Sequence, residues 1–294
     1  MADPAIAPDP ICHLNAARAK LGTAPGNNTD PTSSWHDLSE NAHHGTLTNF
    51  AYEAGNRPRT NSETDKAIWH DLSGNGNDGT LTGFTSWDGV TDGWATGPDR
   101  LVLDGTDDRV ELPSYTIGTQ DMTLEAWASI SHLVASNYGA LINIGNPNGT
   151  HSVSILVSLS GASYVARSYY LSPSAGAGKS ILAAESGDQQ HLLATFDRDG
   201  NMQLFAGNVS RGTSAISAGA ADSHPAAVPY LGHYSGWWCE CAFASARLYN
   251  RVLSESERAQ NYAAGPTGTG YVRDGLVLDL NAARAVRPSG WVEL

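Results

Sequence analysis

Short apolar segments separated by turn residues recur from about residue 69 onward, and this pattern constrains the fold more than any other feature. In the segment 122–130 (MTLEAWASI), Leu124, Ala126 and Ala128 alternate with bulkier or polar residues, as is typical of a strand with two different faces. The sequence therefore predicts an antiparallel all-β domain. The predicted strands are 100–104, 109–112, 122–130, 140–144, 152–159, 164–170, 191–197, 202–206 and 241–249.

Composition supports this class and excludes several partners. Only 16% of the 294 residues are charged and 31 are glycine, which is typical of a sandwich with many polar turns. A net charge of -13 repels nucleic acid and anionic membranes, so we expect neither as a partner. The sequence contains no apolar run of transmembrane length and no recognisable signal peptide near its start.

Two local features can be predicted from the residue types alone. Ser254 with Glu257 has the spacing of a capping box, and Gly265 before Pro266 ends a helix, so we predict one short helix between them. The cysteines are few and odd in number, at positions 12, 239 and 241, which argues against a disulfide framework. We expect the last two to be buried free thiols.

Two sequences occur twice in the chain. The stretch 69–84 (WHDLSGNGNDGTLTGF) has a near copy at 35–50, and LNAARA at 280–285 repeats 14–19. The glycines and polar residues of the first pair predict a tight loop.

The segments DLSGNGNDGTLTG, RLVLDGTDDRVELP, MTLEAWASI, HLLATFDRDGNMQLFAGN and ARLYNRVLSESERAQNY follow one another in an order that resembles the laminin G-like, concanavalin A-like jelly-roll superfamily. More narrowly, GLVLDLNAAR together with W-x-DLSGNGNDGTL resembles the version found in tailed-phage virion proteins. The resemblance implies an all-β, concanavalin A-like jelly-roll sandwich of two antiparallel sheets. Together with the helix predicted above and the order of the segments, the predicted fold has one short C-terminal helix and extended N- and C-terminal arms. We predict an N-terminal arm with a partial repeat at 1–65, a jelly-roll domain at 66–265 and a strand-like C-terminal arm at 266–294.

The order of the pieces leaves the terminal arms open to different interpretations. In the family the LNAAR strand precedes the glycine-rich loop, whereas here one copy follows the helix and the other lies near the N-terminus. An arm could complete the sheet of its own chain, or it could add a strand to a neighbouring subunit. A third interpretation is that the arms take no part in the sandwich.

A calcium site is one of two interpretations of the glycine-rich loop. Residues 71–76 follow the D-x-S-x-N-G opening of calcium loops, but Thr82 stands where the closing acidic ligand belongs. Because members of the superfamily often carry a structural calcium, the resemblance implies Asp71, Asn75 and Asp78 as ligands, with Asp107 or Asp108 as further candidates. The alternative is a hydrogen-bonded loop without a metal.

No catalytic residues are predicted. The E-x-D-x-x-E run of laminarinase-type glycosidases and the G-x-S-x-G nucleophile motif are both missing from the sequence. Glu111, Glu125 and Glu240 are isolated, and we expect each at a solvated strand position. We therefore predict that the chain is not an enzyme, with a glycoside hydrolase as the lower alternative.

Aromatic residues offer candidate contacts for sugar rings. Trp87, Trp94, Tyr234 and Trp237 are candidates for stacking on a glycan, although tandem Trp237 and Trp238 favour anchors of a subunit interface.

Taken with the resemblance, the sequence predicts a non-enzymatic phage virion structural protein, a capsid decoration or head-fibre protein on the virion surface. Its expected partners are the major capsid protein or other virion proteins and further copies of itself. The alternative is a carbohydrate-binding module, tail-associated or secreted, that recognises host surface glycans.

Overall fold

The computed structural model describes residues 34–35, 45–46, 66–95, 99–132, 138–146, 150–160, 163–174, 176–184, 187–268 and 270–284. The chain divides into two compact units, 1–59 and 60–294. None of the helices in these described ranges is long and apolar enough to cross a membrane.

The duplicated loop sequence forms the same hairpin in both units. In the first unit, β1 (Ser34–Trp35) pairs with β2 (Gly45–Thr46), and Trp35 lies opposite Gly45. In the second unit, β3 (Ile68–Trp69) pairs with β4 (Gly79–Thr82), and Trp69 lies opposite Gly79. The two near copies therefore form hairpins with the same register.

The rest of the second unit contains eighteen further strands and one α-helix among the described residues. In chain order they are β5 (Gly93–Ala95), β6 (Arg100–Asp104), β7 (Arg109–Glu111), β8 (Tyr115–Gly118), β9 (Met122–His132), β10 (Tyr138–Asn146), β11 (His151–Ser160), β12 (Ser163–Ser172), β13 (Gly176–Ala184), β14 (Gly187–Phe196), β15 (Asn201–Ala206), β16 (Val209–Ala215), β17 (His224–Ala227), β18 (Tyr230–Leu231), β19 (His233–Tyr234), β20 (Trp237–Trp238), β21 (Glu240–Tyr249), α1 (Glu255–Ala264) and β22 (Leu276–Asn281). Short 3-10 helices occupy Ser217–Gly219 and Ala282–Arg284.

The strands form two large antiparallel sheets. Sheet I has the order β13-β12-β11-β10-β18-β7-β4-β3, and sheet II has the order β16-β15-β14-β9-β21-β6-β5, with β22 also paired to β21. Leu124, Ala126 and Ala128 of β9 point into the core between the sheets and are fully buried. The predicted jelly-roll-like sandwich is therefore confirmed, and every predicted strand is present.

The predicted helix and thiols are also confirmed. Ser254 Oγ accepts a hydrogen bond from the Glu257 backbone N–H, and the Glu257 carboxylate accepts one from the Ser254 N–H, which completes the capping box of α1. The helix ends at Gly265, whose φ is 70°. Cys239 and Cys241 are buried free thiols.

The C-terminal segment completes a sheet of its own chain. β22 runs antiparallel to β21, with Leu278 opposite Leu248 and Asn281 opposite Ser245. Of the interpretations of the terminal arms, pairing within the chain is the one observed for this segment. The N-terminal copy of LNAARA lies outside the described residues.

A buried polar cluster lies where α1 and the chain after it cover part of the outer face of sheet II. Glu125 accepts hydrogen bonds from Asn261 of α1 (2.7 Å) and from Arg247 (3.4 Å), and it pairs with His191 (2.9 Å). Arg247 also donates to Asp279 of β22 (3.1 Å). The sequence predicts a solvated position for Glu125, but its side chain is 1% exposed because α1 packs over β9.

A second buried ionisable group, His224 on β17, makes stability depend on pH. Its ring stacks on Tyr170, and neither ring nitrogen has a hydrogen-bond partner among the described residues. Burial, reinforced by the positive charge of Arg198 and by His151, lowers the pKa of His224 from 6.5 to about 3. Because the folded-state pKa lies below the unfolded value, this contribution is present above pH 6.5 and is lost as the pH falls toward 3.

We therefore expect the free energy of unfolding to fall by about 2 kcal/mol for this residue between roughly pH 6.5 and 5, measured by urea denaturation. His224→Phe keeps the stacked ring and removes the titration, so its stability should fall less steeply over this range. Some dependence of the free energy of unfolding on pH should remain in this variant, because burial also lowers the pKa of His233, to about 4. Equal slopes in the two proteins would contradict the assignment to His224.

Candidate functional site

Sheet II also carries a groove with a volume of about 350 Å³. Its floor is formed by Val102 of β6 and Ala242 of β21, which form a small apolar cluster separate from the main core. Their chain neighbours Leu103 and Cys241 belong instead to the main core, as strand alternation requires. The groove therefore lies on the outer face of the sheet, beside the part that α1 covers.

Two carboxylates face each other at one end of this groove. Asp104 is the last residue of β6 and Glu240 the first of β21, and the register places them directly opposite one another. Like charges in directly opposed cross-strand positions are destabilising. Because both carboxylates line the groove, their negative charge is available to a ligand that binds there.

Further polar groups line the same groove. Arg100 precedes Asp104 on the same face of β6, and its Nε is buried without a hydrogen-bond partner in the described structure. Ser129 and Ser131 come from β9, where Ser129 lies beside Ala242. Hydroxyl, guanidinium and carboxylate groups together can donate to and accept from a polyhydroxylated ligand.

A turn rich in aspartate adjoins this end of the groove, between β6 and β7. Asp104, Asp107 and Asp108 each offer an oxygen within 4.8 Å of the others, and no other group of three potential metal ligands occurs in the described ranges. Asp108 is fully buried, and its Oδ2 accepts a hydrogen bond from the Asp104 N–H (2.9 Å). Burial, assisted by the negative charges of neighbouring aspartates, raises the pKa of Asp108 to about 7.

The glycine-rich loop has a different role from the turn. Asp71 accepts hydrogen bonds from Ser73 and from the backbone N–H groups of Asn77 and Asp279, so both of its carboxylate oxygens are used. Asn75 and Asn77 donate to the backbone carbonyl of Val277. The loop thus lies along the edge of β22 that is not paired with β21 and satisfies its backbone groups.

Hydrogen bonds already engage the carboxylates of two of the three residues predicted to bind calcium. Asp78 accepts from the Asp71 N–H (2.8 Å) with one oxygen and pairs with His70 (3.2 Å) through the other. Asn75 directs its amide N–H groups, not its oxygen, toward Ser73 and β22. These contacts favour the alternative interpretation of a hydrogen-bonded loop over a calcium site formed by Asp71, Asn75 and Asp78, which stays a prediction.

Trp87 and Trp94, two of the predicted glycan contacts, lie near the start of the second unit. Trp94 is 1% exposed, crosses Trp69 edge to face at 5.5 Å and donates its indole N–H to the backbone carbonyl of Lys66. A ring with no free face cannot stack on a sugar, so the prediction for Trp94 is corrected: it is a core residue. Trp87 is half-buried against Phe84, with the Lys66 ammonium 4.8 Å from its ring centre.

Tyr234 and Trp237 belong to a second aromatic group. Tyr234 is buried under Trp237, so the prediction that it contacts a glycan is corrected as well. Trp237 is half-buried and stacks on Tyr138, and the Arg167 guanidinium lies 5.5 Å from the Tyr138 ring centre. Of the four predicted residues, only Trp87 and Trp237 keep ring surface exposed, and they have different neighbours.

The groove residues were not found by sequence reasoning. Arg100, Asp104, Ser129 and Glu240 come from three strands, and their proximity depends on the register of β21 with its neighbours. The one available signal was alternation. Ser129 and Ser131 lie on one face of β9, and the core residues Ala128 and Ile130 lie on the other. A strand covered on both sides would carry apolar residues on both faces, so the two serines indicate a face that is not fully covered.

The chain is similar to several solved structures. Domain 4 of an extracellular arabinanase from Geobacillus stearothermophilus is 19% identical, with 66% of this chain and 95% of that domain covered and a TM-score of 0.48. A pentraxin from Limulus polyphemus is 13% identical, with 60% and 90% covered and a TM-score of 0.43. A sialidase from Trypanosoma rangeli is 16% identical, with 69% of this chain but 32% of the sialidase covered and a TM-score of 0.50. At these identities the likeness concerns the fold alone.

Sequence comparison identifies the family. Curated protein sequences give no significant match. Residues 104–257, just over half of the chain, match the family profile described as the concanavalin A-like lectin/glucanases superfamily. This range runs from the carboxylate at the groove end of β6 to the capping box of α1, and it includes most of sheet II. The chain belongs to the concanavalin A-like lectin/glucanases superfamily.

Proposed function

We propose that the chain is a non-enzymatic structural protein of a tailed-phage virion, a capsid decoration or head-fibre protein that displays its jelly roll on the particle surface. The observation that carries the proposal is the contact between the two sequence pieces of the virion-type resemblance. The loop DLSGNGND lies along the strand LVLDLN, with the Leu72 N–H donating to the Asp279 carbonyl at 2.8 Å. The repeated hairpin of the first unit supports a modular protein built from such pieces.

The non-enzymatic part of the proposal is supported by the state of the carboxylates. Glu125 is buried beneath α1 and is not available to a substrate, and Glu111 forms an ion pair with Arg109. Asp104 and Glu240 are the two carboxylates that line the groove. A glycosidase would need two such carboxylates as acid and nucleophile or base, so this pair is where the proposal is tested.

The experiment is to purify particles of the phage that encodes the chain on a density gradient and to digest them for peptide identification. We expect peptides of the chain to co-purify with the major capsid protein, and antibodies against the 60–294 unit to label intact particles in electron micrographs. Peptides found in the lysate but missing from the particle band would contradict the virion assignment.

Glycan binding in the groove is a second candidate function, favoured by the composition of the groove. Arg100, Ser129 and Glu240 place hydrogen-bonding groups around a floor of Val102 and Ala242. A few polar groups around an apolar floor is the usual composition of a small-ligand site. The superfamily to which the chain belongs includes lectins, as its description states.

A glycan array followed by calorimetry on the best ligand tests this candidate. We expect Arg100→Ala and Glu240→Ala each to weaken binding at least about tenfold, because each removes a charge-assisted hydrogen bond. Trp237→Ala, in the second aromatic group, is the matched control and should bind normally. Binding that survives both groove substitutions but is lost in Trp237→Ala would move the site to the aromatic group. Glycan hydrolysis that Glu240→Gln abolishes would overturn the non-enzymatic assignment.

A further inference from the structure

We propose that the groove on sheet II selects glycans that carry a free amino group, with the ammonium bound between the carboxylates of Asp104 and Glu240. The inference rests on the glycan-binding candidate described above and adds the class of sugar that the groove prefers. That class is a positively charged amino sugar, in contrast to a neutral sugar, an acidic sugar or a basic peptide.

The opposed carboxylates of Asp104 and Glu240 lack a neighbouring cation. They are paired across β6 and β21, and such directly opposed positions bring the two Cβ atoms to about 4.5–5.5 Å from one another. Thr106 donates its backbone N–H to Asp104 Oδ1 (2.7 Å), but in the described part of the chain neither carboxylate forms an ion pair with a lysine or an arginine. The two charges therefore repel one another, and one cation between them would remove this repulsion.

Neighbouring charges make this end of the groove more negative. Burial and then the charges of Asp104, Asp92 and Asp107 raise the pKa of Asp108 to about 7. The chain as a whole carries a net charge of -13, which attracts cationic ligands and repels anionic ones. An ammonium group has one positive charge and three N–H donors, so a single group can donate to both carboxylates of the pair.

The remaining polar groups of the groove, outside the carboxylate pair, favour a sugar over a basic peptide. Arg100 lies on the same face of β6, about 13 Å along the strand from Asp104, and its Nε is buried without a hydrogen-bond partner in the described structure. A guanidinium only donates hydrogen bonds, so it pairs with a hydroxyl or carbonyl oxygen of a ligand and repels a second basic side chain. Ser129 and Ser131 add hydroxyl groups that donate and accept. These groups suit a polyhydroxylated ring that also carries an ammonium.

The apolar surfaces of the groove are in place before a ligand binds. Val102 and Ala242 form its floor, and Val90, which is 84% exposed, lies at its rim. Asp88 fixes the loop that carries Val90 by accepting hydrogen bonds from the Val90 and Thr91 N–H groups (2.8 and 2.7 Å). A preformed site loses less ordering entropy on binding. The groove volume of about 350 Å³ is near the lower end of the range for small-ligand sites, roughly 300–1,000 Å³, and suits a short stretch of glycan.

Two tetrasaccharides that differ only in acetylation test the proposal, by calorimetry with the full chain at pH 6. The β-1,4-linked glucosamine tetramer carries a free amino group on every ring, and its N-acetylated counterpart carries none. We expect the amine form to bind at least about tenfold more tightly, because charge-assisted hydrogen bonds are about twice as strong as neutral ones. This preference should decrease as the salt concentration rises. Equal affinities for the two tetramers, or no binding of the amine form, would overturn the proposal.

Glu240→Gln removes one charge of the pair and keeps the shape of the side chain. It should weaken binding of the amine form at least about tenfold and change that of the acetylated form by less than about twofold. Glu255→Gln removes the same charge from an exposed position on α1, so it is the matched control and should bind both tetramers as the parent does. If Glu240→Gln keeps the full preference for the amine form, the ammonium does not bind at the carboxylate pair and the proposal is wrong.

A tetralysine peptide with blocked termini distinguishes an amino sugar from a basic protein segment. It carries four ammonium groups without sugar hydroxyls, and we expect it to bind at least about tenfold more weakly than the glucosamine tetramer, because Arg100 repels it and the serines gain no partners. Tighter binding of the peptide would overturn the choice of a sugar.

The glycan array described above separates this inference from the glycan-binding candidate itself. If a neutral or acidic glycan binds, its binding is lost in Arg100→Ala, and the amine form has no advantage, then the candidate function stands and the preference for amino sugars is wrong. If no glycan on the array binds, both are wrong.

Discussion

Arg247→Met is expected to lower the free energy of unfolding by about 3–5 kcal/mol, the usual cost of removing one partner from a buried ion pair. Arg247 is fully buried between Glu125 and Asp279, and its guanidinium lies 4.2 Å from the ring centre of Tyr271. Methionine fills much of the same volume but leaves two buried carboxylates without the cation that lies between them. Urea denaturation at pH 7 measures the loss.

The pH dependence identifies the cause of that loss. Burial opposes ionisation of Glu125, but the His191 hydrogen bond and the Arg247 charge outweigh it and hold the pKa of Glu125 below its ordinary value. A lowered folded-state pKa stabilises the fold above the unfolded pKa, near 4.5, and this stabilisation is lost as the pH falls. Without Arg247 the Glu125 carboxylate takes up a proton more readily, so the deficit of the variant should shrink on acidification.

Arg211→Met on the exposed strand β16 is the control for the loss of one positive charge. It should change the free energy of unfolding by no more than about 0.5 kcal/mol, as is usual for surface substitutions. A deficit in Arg247→Met that is the same at pH 7 and pH 4 would show that lost packing, and not unpaired charge, destabilises the variant.

The strands could be predicted because each is encoded locally. Alternation in MTLEAWASI places Leu124 and Ala126 in the core whatever their partners are, and the capping box of α1 needs only Ser254 and Glu257. β13 (GAGKSILAA) and β16 (VSRGTSA) were missed because small and polar residues obscure the alternation at these sheet edges.

The groove and the buried cluster could not be predicted, since they depend on pairings between distant segments. Asp104 and Glu240 are opposite one another only because β6 pairs with β21 in one register. Glu125 looked like a solvated residue because the sequence does not reveal that α1 covers it. In each case the local pattern gave the face of a strand but not what lies against that face.

The LNAARA repeat also shows that a local sequence does not specify which strand it pairs with. Identical residues at 14–19 and 280–285 gave no basis for deciding which copy pairs with β21. The residue before the repeat provides a physical reason: Asp279 precedes the C-terminal copy and pairs with buried Arg247, whereas His13 precedes the other. A strand position beside a buried guanidinium favours a carboxylate over an imidazole.

Asp71→Ala is expected to lower the free energy of unfolding by about 3 kcal/mol, because one ionised acceptor holds several donors and each such bond contributes about 1.5–3 kcal/mol before water replaces part of it. Two of these bonds fold the loop onto itself through Ser73 (2.9 and 2.7 Å), a third binds the Asn77 N–H, and the fourth binds the Asp279 N–H of β22 at 2.9 Å. The substitution therefore loosens the loop and the outer edge of β22 together.

Amide hydrogen exchange distinguishes this joint loosening from a general loss of stability. The Asp279 and Leu72 amides, which connect the loop with β22, should lose protection by more than the global destabilisation accounts for, while amides of β9 should follow the global change. Asp88→Ala is the matched control: Asp88 also accepts from two backbone N–H groups of its own loop, but it is exposed and contacts no strand edge in those bonds. If Asp88→Ala and Asp71→Ala shift the Tm equally, the glycine-rich loop does not stabilise β22. The contact between this loop and β22 would then no longer support the proposed function.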